Sequence, residues 1–276
     1  NRKVLMAIPG LLLLVILTVF CQKVSSEKDY VDVDTRYSRV LIYDTEDNKS
    51  GRPIKMLRVN NEKSAAMFLD GDGLVFEVLK YYQLAEHFNP GFRNALMIGG
   101  SGYSYPKDYL MKYPDKKLDV VEIDPDLTRL AKQYFNLNDD PRLNIIHADG
   151  RTFINRSTKQ YDVIYMDAYE SLITIPYQLT TIEAIERLHG MLNDDGVLLA
   201  NIISSLEGDN LFLQAEYQTY KKVFRQVYLF AVQEPENKSL IQNIMLVALK
   251  SDQKPEFEVD DLRFSKYLNH RVDIHV

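Results

Sequence analysis

The chain reads as a doubly wound α/β sheet, and three observations carry that reading. A short apolar run from Asn94 to Ile98 enters the glycine cluster Gly99-Gly100-Ser101-Gly102. A helix-length segment follows, and a second apolar run then ends in Glu122 and Asp124. Beyond Asp124, apolar runs and helical periodicities alternate as far as about Leu249. Strand, glycine turn, helix and a strand closing on an acid is the layout of a nucleotide-binding βαβ unit. Gly99, Gly100 and Gly102 let the backbone turn sharply and approach a ligand with no side chain in the way, and the next helix offers N–H groups. At the carboxyl end of the second strand, Glu122 is placed to accept hydrogen bonds from two ribose hydroxyls. A glycine cluster alone is also what any tight strand-to-helix turn requires, so the acid carries much of the specificity.

Composition bounds what such a unit can serve. At 276 residues, 46% hydrophobic and 26% charged, the chain can bury one large domain plus a small one without covalent staples. Its net charge of -6 leaves no basic excess to release counterions from a phosphate backbone, which argues against nucleic acid as a partner. Cys21 is the only cysteine, so no disulfide framework or cysteine-rich metal site is available. The histidines, at 87, 147, 189, 270 and 275, lack ligand spacing, and no metal site is expected.

Taken in order, Val4 to Phe20 is almost wholly apolar, with Arg2 and Lys3 before it and Gln22 and Lys23 after it. Residues 1–26 are read as a transmembrane anchor with its linker; a cleaved signal peptide is the rival reading. Residues 27–73 change to short strand-like runs separated by polar turns, forming a small β-domain. Ser38 to Tyr43 and Ile54 to Val59 are hairpin partners around the turn at Asp47-Asn-Lys-Ser-Gly51.

The main domain is expected over 74–252. Leu74 to Phe88 reads as one helix, and Tyr81 and Tyr82 are candidates to line a pocket or, more simply, to pack. After Asp124 the spacing predicts a helix through Leu127, Leu130, Ala131 and Tyr134, a strand Leu143 to Ala148, and a short helix led by Asp149-Gly150-Arg151. Tyr161 to Met166 is the next strand, ending in Asp167. A loop to Thr181, a helix from about Ile182 to Leu192 and a strand Gly196 to Ile203 follow. A helix carrying Leu213, Tyr217, Tyr220 and Phe224 precedes strands at Val227 to Val232 and Ile244 to Leu249, and 253–276 is left as a C-terminal tail. That rhythm predicts a mostly parallel sheet whose ligand lies beyond the carboxyl ends of the strands. Glu122, Asp149 and Asp167 all fall at such ends, although each alone could be a helix N-cap.

Ile98-Gly-Gly-Ser-Gly102, Val121-Glu-Ile-Asp-Pro125, Asp139-Asp-Pro-Arg-Leu143, Asp149-Gly-Arg151 and Tyr161-Asp-Val-Ile…Asp167 resemble the spermidine synthase family of aminopropyltransferases. Gly102-Tyr-Ser-Tyr-Pro106 and Ile175-Pro-Tyr-Gln-Leu-Thr-Thr181 look like a bacterial branch often fused behind membrane helices. The resemblance spans roughly Tyr37 to Leu249 and implies a Rossmann-like fold shared with class I methyltransferases. It also implies decarboxylated S-adenosylmethionine, or S-adenosylmethionine itself, as cosubstrate, with no metal. Gly99, Gly100, Ser101, Gly102, Glu122 and Asp124 would hold its methionine-derived portion and ribose, and Asp149 with Gly150 would meet the adenine. Asp167 would assist the attacking amine, and Glu170 would grip the far ammonium of a diamine such as putrescine. The expected partners are that small amine, the membrane through the N-terminal helix, and a second copy of the chain; the catalytic domain would face the cytoplasm.

Three departures from the family pattern stand out. Gly102 occupies the place of an acid that binds the aminopropyl ammonium. Asp167-Ala-Tyr-Glu170 stands for Asp-Ser-Ser-Asp, and Val75-Phe76 for a Tyr-Gln pair that meets the acceptor. Three functions therefore remain open at this point: aminopropyl transfer, methyl transfer on the same scaffold, and a membrane-tethered binding domain without catalysis.

Overall fold

A computed structural model describes residues 30–169 and 174–274. The anchor expected over 1–26 and the candidate Glu170 lie outside the described residues. Among the described residues no helix is long and apolar enough to cross a membrane.

The N-terminal strands form an antiparallel meander of four: β1 (Tyr30–Asp34), β2 (Arg39–Glu46), β3 (Pro53–Val59) and β4 (Glu62–Phe68). The second and third match the hairpin expected from the sequence. The outer two have mixed patterns, and β4 in particular buries only Ala65 and Ala66, which explains why it does not announce itself as a strand.

The region expected as one helix from Leu74 to Phe88 is two short ones, α1 (Glu77–Tyr81) and α2 (Leu84–Phe88). Between them Tyr82 N bonds to Leu79 O and Ala85 N to Tyr82 O, three-residue spacings that tighten the helix and break its ladder. The tightened turn keeps Tyr81, Tyr82, Leu84 and Ala85 all buried.

The main sheet has eight strands. In chain order they are β5 (Asn94–Ile98), β6 (Lys117–Glu122), β7 (Leu143–His147), β8 (Tyr161–Met166), β9 (Leu192–Ser204), β10 (Gln226–Ala231), β11 (Gln242–Leu249) and β12 (Arg271–Val272), and their spatial order is β12-β10-β11-β9-β8-β5-β6-β7. From β7 across to β9 all neighbours are parallel. The crossovers are α3 (Ser104–Lys112), α4 (Pro125–Tyr134), α5 (Gly150–Arg156) and α6 (Ile182–Met191). The sheet is nonetheless mixed, because β11 inserts antiparallel between β9 and β10, which α7 (Leu211–Val223) connects. Only a short loop joins β10 to β11, too short for the crossover a parallel pair demands.

Residues 253–276, expected as a tail, are part of this fold as far as they are described. Helix α8 (Leu262–Leu268) buries Phe264, Tyr267 and Leu268, an i, i+3, i+4 face, and β12 pairs with β10. Two apolar layers cover the faces of the sheet. One includes Tyr82, Tyr105, Tyr109 and Tyr165; the other is built around Ile98, Ile164, Leu198 and Leu213.

Candidate active site

Chain order reverses at β5: β6 and β7 are added on one side, β8 and β9 on the other. The carboxyl ends of β5 and β8 therefore open onto a crevice, the position where ligands enter sheets of this kind. A cleft of about 1390 Å³ lies there, lined by Gly99, Gly100, Ser101, Glu122, Asp124, Asp149, Gly150 and Asp167 among others. Of the candidate residues within the described structure, all but Gly102 line it.

Glycine is required at position 99, where φ is +98° and a Cβ would stand 2.4 Å from the Asp167 carbonyl oxygen. That close approach brings the glycine loop against the end of β8, and Asp167 N donates to Ile98 O at 3.0 Å. Gly102 is not among the residues that line the cleft. Its missing side chain makes room for Ala65 of β4, 2.5 Å from where a Cβ would be. The expectation that Gly102 contacts a ligand is thus corrected: its smallness serves the packing of the two sheets.

Glu122 is 5% exposed, and its carboxylate holds the loop. Oε2 accepts from Gly100 N at 2.8 Å and Ser101 N at 2.9 Å, and Oε1 accepts from Asp124 N at 2.9 Å. A carboxylate has roughly four acceptor positions, so one remains for a ligand hydroxyl. Bonding two ribose hydroxyls, as the sequence suggested, would require a loop amide to give up its bond. The loop amides are likewise occupied by Glu122 rather than free.

Asp124 has a structural task. It caps α4 by accepting from Asp126 N at 3.0 Å, with Pro125 at the first helical position, and it accepts from Thr35 Oγ1 at 2.6 Å. Thr35 lies just after β1, so this bond ties the N-terminal sheet to the main one. Two more ties run from β4: Ser64 and Ser101 share a hydroxyl hydrogen bond at 2.7 Å, and Ser104 Oγ donates to Ala66 O at 2.9 Å.

Asp149 caps α5 through Oδ1, which accepts from Thr152 N at 2.7 Å, while Gly150 opens the helix at the cleft wall. Capping uses one oxygen and leaves the other for an exocyclic amine. Arg151 braces this wall, donating to Gln178 O and Thr181 Oγ1, each at 3.2 Å.

Asp167 accepts from Asn201 Nδ2 at 3.0 Å, and burial pushes its carboxyl above the usual range, with Asn201 and Tyr82 pulling the other way. Among the described residues no cation is one of the groups that act on it. Such a carboxylate is a ready proton acceptor, because nothing but neutral donors compensates its charge. Behind it Asn201 Oδ1 accepts from Asn243 Nδ2 at 3.0 Å, Asn243 Oδ1 accepts from Gln233 Nε2 at 3.1 Å, and Tyr169 donates to Asn201 O at 2.7 Å. The sequence reading missed this amide chain. Its one visible signal is Asn201 itself, a polar residue inside the apolar strand Leu198 to Ile203. Of the two tyrosines considered for the pocket, Tyr81 points elsewhere, its hydroxyl 2.7 Å from His270 Nδ1. Tyr82 is fully buried behind the cleft.

The model of the spermine/spermidine synthase domain matches residues 69–260. The chain is 31% identical over 179 residues to a polyamine aminopropyltransferase of Vibrio vulnificus, covering 63% of this chain and 58% of that protein. It is 27% identical over 207 residues to polyamine aminopropyltransferase 2 of Pseudomonas aeruginosa, covering 73% and 57%. The chain thus spans less than two thirds of the length of these curated relatives. Among solved structures, a probable spermidine synthase from Corynebacterium glutamicum superposes with a TM-score of 0.72 at 24% identity, covering 86% of this chain and 85% of that one. A human methyltransferase-like protein 13 in complex with SAH superposes with a TM-score of 0.52 at 20% identity, covering 70% and 86%. At those identities the structural likeness is one of fold. With the domain model matching well over half of its length and the switch-point cleft carrying Glu122, Asp149 and Asp167, the chain belongs to the spermine/spermidine synthase family.

Proposed function

We propose that this chain transfers an aminopropyl group from decarboxylated S-adenosylmethionine to a small amine. The observation that carries the reading is Asp167: a carboxylate at the switch point, held by the neutral amide of Asn201, with its pKa raised by burial and, among the described residues, no cation paired with it. The names of the curated relatives point the same way. In the transfer the amine nitrogen attacks the carbon beside the sulfonium, the carbon–sulfur bond breaks with its electron pair passing to sulfur, and neutral methylthioadenosine leaves. The proton shed by the amine goes to Asp167. Glu122 and the loop it organises hold the ribose end, and the free oxygen of Asp149 meets the adenine.

Methyl transfer from S-adenosylmethionine is the second reading, and Gly102 favours it. The place where the family carries an acid for the aminopropyl ammonium has no room for one here. Assaying purified chain with labelled decarboxylated and carboxylated donors, against a panel of mono- and diamines, separates the two. Aminopropylated product supports the first reading, and methylated product overturns it.

For residues 1–26 the proposal remains a membrane anchor, with the domain on the cytoplasmic side where adenosyl sulfonium compounds are made. Cleavage of the domain by protease added outside spheroplasts would refute that placement. Pairing of two copies is checked by sedimentation.

A further inference from the structure

Three neutral amides stand in line behind Asp167. Asn201 on β9 donates from Nδ2 to Asp167 Oδ1 at 3.0 Å, and its own Oδ1 accepts from Asn243 Nδ2 on β11 at 3.0 Å. Asn243 Oδ1 in turn accepts from Gln233 Nε2 at 3.1 Å, and Gln233 Oε1 accepts from the backbone N–H of Asn243 at 3.1 Å. The pairing of β9 with β11 sets Asn201 opposite Met245 and Asn243 opposite Ile203, so the two asparagines are diagonal neighbours on one face of the sheet. All three amides line the cleft.

The bond to the backbone decides the direction of the others. A side-chain amide can be turned end for end, exchanging its oxygen with its nitrogen, but a backbone N–H only donates. Against Asn243 N, therefore, Gln233 must present its oxygen, which turns its nitrogen to Asn243 Oδ1. That leaves the Asn243 nitrogen for Asn201 Oδ1, and the Asn201 nitrogen for Asp167. Gln233 is itself held from the backbone. Gln242, 3% exposed, accepts at Oε1 from the N–H groups of Gln233 at 2.9 Å and Glu234 at 3.0 Å, and donates from Nε2 to Glu234 O at 3.0 Å. Backbone groups at the turn between β10 and β11 thus set which atom meets Asp167, three side chains away. The strand does not require this for its own sake: an apolar residue at 201 would continue the run Leu198 to Ile203 with no buried amide to satisfy.

We propose that Gln233 and Asn243 are positioning residues for Asp167, acting through Asn201 as a polarised line of amides that always offers the carboxylate a donor. The inference rests on the reading of Asp167 as the base. A donor favours the ionised carboxylate, whereas an amide oxygen in the same place would favour the protonated acid. In the transfer the amine nitrogen bonds to the carbon beside sulfur and its proton passes to Asp167. The amide protons stay on their own nitrogens, so the line orients and does not conduct. Among the described residues the titratable groups that act on Asp167 are the phenols of Tyr82 and Tyr169, both kept protonated by burial.

The test uses Gln233, which is exposed and can be replaced without opening the core. Gln233→Glu offers Asn243 two acceptor oxygens and no donor, so Asn243 and then Asn201 turn over, and an oxygen comes to face Asp167. Gln233→Met removes both bonds without adding a charge and leaves the two asparagines free to take either direction. The ionisation midpoint of Asp167, read by carboxyl-carbon NMR titration, should rise by about 0.5 to 1 unit in Gln233→Glu and by less in Gln233→Met. The rise in Gln233→Glu should persist in about 1 M salt, which screens an exposed charge within a few Å. The acidic limb of the transfer rate should move to higher pH by the same amount, a roughly three- to tenfold loss of rate below it, with methylthioadenosine affinity unchanged. A midpoint unmoved in both variants, or a rise in Gln233→Glu that salt abolishes, overturns the inference whatever the chain transfers. Should Gln233→Glu fail to fold, Gln233→Met carries the test alone. The titration needs no turnover, so a raised midpoint in a chain that transfers no aminopropyl group sustains the line of amides and overturns the reading of function instead.

Discussion

Ala65 of β4 fills the space that any side chain at Gly102 would enter, with its methyl carbon 2.5 Å from where a Cβ would stand. The family's ammonium-binding acid therefore cannot be restored by one substitution. Gly102→Asp should lower stability by about 1 to 3 kcal/mol through overpacking, before any effect on a ligand. Combining it with Ala65→Gly should recover part of that loss. Urea titration of the two single variants and the double variant measures the coupling, and strictly additive losses would show that the two positions do not compete for space.

Glu122→Ala strips the partner from the amides of Gly100, Ser101 and Asp124 at once. The loop should loosen, and methylthioadenosine should bind roughly 10- to 100-fold more weakly, as expected for losing one or two hydrogen bonds to a charged group. Calorimetry reads the affinity, and hydrogen exchange at Gly100 and Ser101 reads the loop. Unchanged affinity would remove Glu122 from the binding site.

Asp167→Asn keeps the shape but cannot take a proton. Transfer should fall by about 100-fold or more while nucleoside affinity holds. The sign of its stability effect also follows. Burial raises the folded pKa of Asp167 above its unfolded value, so ionisation in the cleft costs stability, and the cost grows as pH rises from the unfolded to the folded pKa. The variant should be more stable than the parent at neutral pH, the usual trade between a working site and a comfortable one. A variant with the parent's transfer rate would leave Asp167 a structural residue.

Glu216 on α7 is 4% exposed, and burial pushes its carboxyl up to about 8. Below the unfolded value of 4.5 both states are protonated and nothing is lost. Between the two values the unfolded chain ionises while the folded one does not, so stability falls by up to about 1.4 kcal/mol per pH unit and then levels off. In Glu216→Gln that slope should vanish, with the gain over the parent smallest at pH 4 and largest above pH 8. Denaturation curves across that range would expose parallel pH profiles if the carboxyl does not titrate in this way.

The sequence made the parallel half of the sheet legible because strands buried on both faces are nearly continuous apolar runs, as β5, β6 and β8 are apart from Asp119 and Asp162. Glu122 and Asp167 were readable for a related reason: polar residues ending apolar strands sit where this fold opens. Asp124 was equally visible, but Asp followed by Pro at a helix start signals a cap, and capping is what the side chain does. Asn201 was not readable as a partner of Asp167. Asn201 lies 34 positions along the chain, and only the pairing of β8 with β9 brings it alongside. Gly102 misled because a glycine that accommodates a neighbouring sheet looks, in sequence, like one that accommodates a ligand. The antiparallel insertion of β11 was hidden as well, since an apolar strand carries no mark of its direction.

Ser64 with Ser101 and Ala65 with Gly102 join the four-stranded sheet to the glycine loop, Ser104 with the Ala66 carbonyl joins it to the start of α3, and Thr35 with Asp124 ties its edge to the start of α4. The glycine loop is therefore a seam between two sheets rather than the property of one. A dissection at Leu74, the boundary that sequence composition invites, would cut the stitching and leave a nucleotide-type unit with its loop unsupported on one side. The smallest portable piece that keeps the loop's geometry thus includes both sheets, and grafting the β5–β6 unit alone into another scaffold would transplant the glycines without that geometry.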